Sequence, residues 1–354
     1  MKKLLALLLC AVLCLSLVAC ASSTTETPAA STETSTETPT ETAAPEESAD
    51  ASETPVEEPA ADAQQYVVGI CQLVQHDALD AATNGFMDAL EEALPGQVTF
   101  DVKNASNDIP TCGTIVTGFV ASNVDLILAN ATPALQAAST ATQTIPVLGT
   151  AVTEYGVALD IADFNGTVGG NISGTSDLAP LDQQADMLME LLPDAQNVGI
   201  LYCSAEANSV YQADVVKAAL EAKGVNVTIY TFADSNDVAT VTQTACAEND
   251  ALYIPTDNTA ASCTEAINNV AEPAGVPIIA GEEGICKGCG IATLSIDYYE
   301  LGRTTGAMAA KILTGESSVS EMPIEYYQNP VKKYDAARCE ALGITVPSDY
   351  VAIG

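Results

Sequence analysis

One histidine, His76, no tryptophan and only 11 lysines and arginines in 354 residues leave little material for several kinds of chemistry. A single histidine builds neither a histidine metal cluster nor, with no partner constellation around it, a nucleophile–His–acid triad. Against 47 aspartates and glutamates, the scarcity of basic residues gives a formal net charge of -36. Phosphate backbones are bound through clustered lysine and arginine, so nucleic acid is excluded as a partner. No Gly-x-Gly-x-x-Gly follows a candidate first strand, which removes support for a dinucleotide cofactor. The sequence holds eleven cysteines, yet its Cys-x-x-Cys, Cys286 to Cys289, lacks the second pair that a zinc site needs. A loop disulfide or reduced thiols account for it better than redox catalysis, because Gly288 and Gly290 oppose the helix start that thioredoxin-like motifs occupy. The expectation is a chain without cofactor, metal or catalytic machinery.

What is present begins with a targeting segment. Lys2 and Lys3 precede an apolar run from Leu4 to Val18, too short for a membrane span of about 20 residues but suited to a signal peptide. The run closes on Leu17-Val-Ala-Cys20, which resembles the bacterial lipobox and implies that residues 1–20 form a lipoprotein signal, with Cys20 lipidated and left as the mature N-terminus. Residues 21–65 are Ser, Thr, Glu, Pro and Ala with eleven acids and no basic residue. Such a segment buries too little apolar surface to offset its ordering entropy, and reads as a disordered tether.

From Tyr66 onward, apolar runs alternate with segments of helical periodicity, the pattern of βαβ units around a parallel sheet. The pattern occurs twice. Val198-Gly-Ile repeats Val68-Gly-Ile, Asp250 to Ile254 repeats Asp125 to Ala129, and Val276 to Gly281 repeats Ile145 to Gly149, at offsets of 130, 125 and 131 residues. Near-constant offsets predict an α/β protein of two Rossmann-like lobes with parallel sheets. In such sheets the ligand crevice lies beyond the carboxyl ends of the strands. Thr256, Asp257 and Asn258 end one candidate inner strand, and Asn130 and Thr132 end its counterpart. Asp257 is expected to receive a ligand ammonium, although Thr256 and Asp257 also suit a helix cap. Gln72 and His76 close the first strand, and Asp297 closes the last. Glu282 stands at a possible cleft edge, its neighbour Glu283 pointing elsewhere, so the two make no glycosidase-like pair.

The lipobox, the acidic tether, and the stretches VGICQLVQHDALDAATNGF, ATPALQAA, GTSDL, SAEANS, YIPTDNT and ATLSIDYYELGRTTGAMAAKIL together resemble the ABC-transporter substrate-binding lipoproteins of the tryptophan and tyrosine uptake type. The resemblance spans residues 66–354. It implies the type I periplasmic-binding-protein fold, with a ligand cleft between the lobes and three crossings of the chain. Lobe 1 is expected over 66–172 with a return segment near 299–322, and lobe 2 over 173–298 with the tail 323–354 crossing between them. The resemblance also adds Ser176 and Asp177 at the first crossing, and Glu206, Asn208 and Ser209 in the SAEANS turn, as ligand contacts. Its functional implication is a monomeric, lipid-anchored bacterial protein outside the cell membrane. Such a protein binds a small amino acid, of aromatic type, and delivers it to an ABC permease and its ATPase. A nucleoside or other polar solute on the same fold is the rival reading, and a surface redox protein using Cys286 and Cys289 a more distant one.

Overall fold

The computed structural model describes residues 64–354; Cys20, the signal segment and most of the tether lie outside them. The first half runs β1 (Tyr66–Gln72), α1 (Asp77–Ala93), β2 (Val98–Asn104), α2 (Ile109–Ala121), β3 (Leu126–Asn130), α3 (Thr132–Ala141), β4 (Val147–Val152), α4 (Tyr155–Ala158) and β5 (Ile172–Ser176). The second continues as α5 (Leu181–Leu191), β6 (Asn197–Cys203), α6 (Ala207–Glu221), β7 (Asn226–Phe232), α7 (Val238–Glu248), β8 (Ala251–Ile254), α8 (Asn258–Ser262), α9 (Thr264–Ala274), β9 (Ile278–Ala280), α10 (Glu283–Cys289) and β10 (Ala292–Ser295). The chain closes with α11 (Tyr298–Leu313), β11 (Glu325–Tyr326), β12 (Val331–Tyr334), α12 (Ala336–Ala341) and β13 (Val351–Ala352).

Two sheets result, ordered β11-β5-β4-β3-β1-β2 and β13-β12-β10-β9-β8-β6-β7. Their first five strands have the same doubly wound order, as the sequence repeat predicts, with switch points between β1 and β3 and between β6 and β8. In β3 and β8 every residue is buried, which is why both read as unbroken apolar runs rather than alternating ones. Alternation still sorts their side chains. Leu126 and Leu128 pack with Phe86 and Leu90 on one face of the first sheet, Ile127 and Ala129 with Val116 and Leu135 on the other. The aspartates that open these strand motifs are structural: Asp125 accepts from the Val67 amide at 2.7 Å, and Asp250 from the Asn197 amide at 2.8 Å, each tying down a neighbouring strand.

Several expected boundaries shift. β5 pairs with β4, so the first crossing follows Ser176 and residues 173–176 belong to lobe 1, not lobe 2. The second crossing lies between β10 and α11. The third falls between β11, paired with β5, and β12, paired antiparallel with β10, inside the tail 323–354 expected to cross between the lobes. Helix α2 begins at Ile109, because Asp108 caps it and Pro110 occupies its first turn. Helix α11 returns to lobe 1, where Tyr298, Leu301 and Met308 join the core, and it lies so close to α1 that a Cβ on Gly302 would stand 2.1 Å from the Ala82 carbonyl oxygen.

The Cys-x-x-Cys is not a loop. Cys286 and Cys289 lie on α10 as buried free thiols, so the loop-disulfide alternative gives way to reduced cysteines. Burial drives the Cys289 thiol up to about 12, far from the activated range of a redox cysteine. No group of three or more metal-ligating side chains occurs among the described residues.

The candidate ligand site between the lobes

Polar residues that follow an apolar strand and precede a helix take N-cap positions, and five of the sequence candidates do so. His76, Glu206, Asp257, Glu282 and Asp297 cap α1, α6, α8, α10 and α11 respectively. Four are gathered at the seam between the lobes. The fifth, Asp297, is exposed at the second crossing and accepts only the Glu300 amide.

A small enclosed cavity lies at this seam. His76, Ala78, Leu79 and Ala151 line it from lobe 1, and Asn208, Thr256, Asp257, Asn258 and Glu282 from lobe 2. Asp177 and Tyr298 contribute from the first two crossings. Three carboxylates line the cavity, and none of its lining residues is a lysine or arginine.

The carboxylates differ in what their oxygens already hold. Asp257 accepts the Ala260 amide on one oxygen and the Cys203 amide on the other, both at 2.7 Å. Capping α8 and tying it to β6 thus engages both oxygens of the side chain expected to receive an ammonium group. Glu282 likewise accepts the amides of Gly284 and Ile285 at the start of α10. Burial pushes Asp257 up to about 8, reinforced by the charge of Glu206, and pushes Glu282 up to about 7. Asp177 is different. Its Oδ2 accepts from the Tyr298 hydroxyl at 2.9 Å, while its buried Oδ1 makes no well-formed hydrogen bond. Burial raises its pKa against the Tyr298 and Thr153 hydroxyls, which lower it. The Oδ1 of Asn208 is also buried without a donor. Two acceptors on residues that line the cavity therefore lack a well-formed hydrogen bond.

Other expected contacts are engaged elsewhere. Gln72 donates to Asp80 and the Val74 carbonyl and accepts from Thr83, inside lobe 1. Asn130 donates to the Leu79 carbonyl and Thr83, holding α1 on the sheet. Thr132 and Ser209 are buried off the cavity, and Ser176 donates to the Thr153 carbonyl. Glu206, expected to touch ligand, instead spends its carboxylate on α8, accepting from the amides and side chains of both Asn258 and Thr259. Tyr298 was not singled out for the site. Its signal was an aromatic residue immediately after an N-cap aspartate at a crossing, where a side chain points back along the helix toward the seam.

A sequence model of the family described as ABC transporter substrate binding protein matches residues 67–352. This chain belongs to that family. Its members are solute-binding proteins, not enzymes. A curated relative, a tyrosine-binding protein of Clostridioides difficile, is 36% identical over 264 residues, covering 74% of this chain and 76% of the relative. Among solved structures, an ABC domain from Streptococcus pneumoniae in complex with L-Trp is 30% identical with a TM-score of 0.77, covering 80% of this chain and 97% of that one. The ligand-free, open structure of a substrate-binding protein with adhesive properties from Clostridium difficile is 36% identical with a TM-score of 0.62, covering 82% and 100%. The TM-score is higher for the L-Trp complex than for the open structure, although the open structure shares more identity.

Proposed function

We propose that the protein is an extracytoplasmic lipoprotein, anchored through Cys20, that takes an α-amino acid with an aromatic side chain between its lobes and passes it to an ABC permease and its ATPase. One observation carries the ligand class: two buried acceptor oxygens, on Asp177 and Asn208, line a cavity without a cation. An ammonium group, with three donors and a positive charge, complements them. The aromatic preference follows the L-Trp complex and the tyrosine-binding relative. As it stands the cavity encloses about 10 Å³, close to the space of one water, so an amino acid reaches it only when the lobes part.

Calorimetric titration tests this. L-Tyrosine or L-tryptophan should bind the wild type, and Asp177→Asn, which keeps the shape and the Tyr298 partner, should bind at least roughly thirty-fold more weakly, since loss of a buried charge pair costs about 2 to 5 kcal/mol. N-acetyl-L-tyrosine has no ammonium, and binding as tight as that of L-tyrosine would defeat the assignment. Tighter binding of a nucleoside would replace the ligand class. For the anchor, Cys20→Ala should move the protein from the membrane fraction to the soluble one. A variant that remains with the membrane at wild-type level refutes lipidation at Cys20.

A further inference from the structure

Two hydrogen-bonded chains cross the seam and end on the same carboxylate. From lobe 1, the His76 Nε2 lies 3.2 Å from Asn258 Oδ1, and Asn107 Nδ2 donates to Thr259 Oγ1 at 3.1 Å. On the lobe 2 side, Asn258 Nδ2 donates to Glu206 Oε2 at 2.7 Å and Thr259 Oγ1 to Glu206 Oε1 at 2.8 Å. The amides of Asn258 and Thr259 reach the same two oxygens at 3.0 and 2.8 Å. Directions follow from chemistry. An ionised carboxylate only accepts, so Asn258 must turn its amide nitrogen to Glu206 and its oxygen to His76, and the imidazole must carry its proton on Nε2. Thr259 spends its one proton on Glu206 and accepts from Asn107. Both chains therefore point inward, His76 to Asn258 to Glu206 and Asn107 to Thr259 to Glu206.

We infer that Glu206 is a positioning residue for lobe closure: its carboxylate sets the donor and acceptor directions of Asn258 and Thr259, so that they meet His76 and Asn107 only when the lobes are together. The inference rests on the reading that the lobes part to admit ligand. It assigns Glu206 no contact with that ligand. Nearly every polar atom of the two chains is satisfied within lobe 2 or across the seam, and the cross-seam bonds are the part that opening removes. The cavity touches this latch at His76 and Asn258 and the crossings at Asp177 and Tyr298, so it lies between latch and hinge.

The test uses Glu206→Gln, nearly isosteric but bearing an NH2 that must face a donor on one arm, and Asn107→Gly. The glycine removes the lobe 1 arm without strain, because Asn107 sits at φ 63°, where glycine is at ease. Amide hydrogen exchange of the full chain without added ligand is followed by mass spectrometry. In Glu206→Gln, amides around His76 to Asp80 and Ala105 to Ile109 in lobe 1 should exchange faster, although the Glu206 carboxylate hydrogen-bonds only within lobe 2. In Asn107→Gly, amides of α8 in lobe 2 should do so. Faster exchange confined to α8 in Glu206→Gln, or an unchanged α8 in Asn107→Gly, would reduce Glu206 to a helix cap and overturn the inference. If Glu206→Gln does not fold, the Asn107→Gly comparison decides alone. L-Tyrosine should leave each variant about fivefold faster than the wild type, the loss expected for one hydrogen bond, with its association rate unchanged. Failure of the wild type to bind L-tyrosine would sink the ligand reading and leave the exchange comparison intact.

Discussion

Glu282 holds a buried carboxylate against backbone amides with no cation beside it, and burial raises its pKa to about 7 from the ~4.3 of an unfolded chain. The folded state therefore keeps a proton that the unfolded state has released. From this group, stability is unaffected below about pH 4, falls as pH rises toward 7, and is level above that. Asp257 acts in the same sense up to about pH 8. Carboxylates held down by donors, such as Asp250 with its two backbone amides, work the other way and lose their contribution only in acid. The expected outcome is a thermal midpoint for the ligand-free protein that declines between pH 5 and 8, and declines less steeply in Glu282→Gln. Parallel slopes for the two proteins would show that Glu282 is ionised at neutral pH. These residues were legible in the sequence because a polar residue between an apolar run and a helical pattern has few places to go but an N-cap at the seam. Which of them keeps a free oxygen was not legible. Asp257 and Asp177 look alike as residues, and only the positions of the Cys203 and Ala260 amides separate them.

Helix α11 shows what glycines do at the level of elements. Gly302 and Gly306 face α1, and a Cβ on either would meet its backbone, at 2.1 Å from the Ala82 oxygen or 2.5 Å from the Phe86 oxygen. Alanine gains up to about 1 kcal/mol of helix propensity over glycine, whereas forcing two packed helices apart costs about 1 to 3 kcal/mol. Overpacking wins at Gly302, so Gly302→Ala should lower the chemical-denaturation midpoint. At Gly113, in α2, a Cβ meets nothing within 4 Å, and Gly113→Ala should raise it. A stabilised Gly302→Ala would mean that α1 and α11 slide freely. The same physics explains the misreading of α10. Gly288 suggested a loop, yet its hydrogen occupies the place where a Cβ would lie 2.3 Å from the Thr264 Cβ, so it lets α10 press against α9. A glycine that serves a turn and one that serves close packing are indistinguishable in a sequence without its neighbours.

For the molecule as a whole, the duplicated strand order was legible from the repeat, because inner parallel strands must be apolar throughout and the aspartates opening β3 and β8 have the same task in each lobe. The edges were not. β11 and β13 are two residues long and β12 is partly exposed, so none carries the apolar run that marks an inner strand. Three passages between the lobes have a further result for biosynthesis. No single break in the backbone separates the lobes, since a cut after Asp177 leaves the first sheet without α11 and β11. On the ribosome, that sheet waits for Tyr326, by which time all of β6 to β10 has been made. The lobe begun first cannot be completed until the inner strands of the lobe begun second are already in hand.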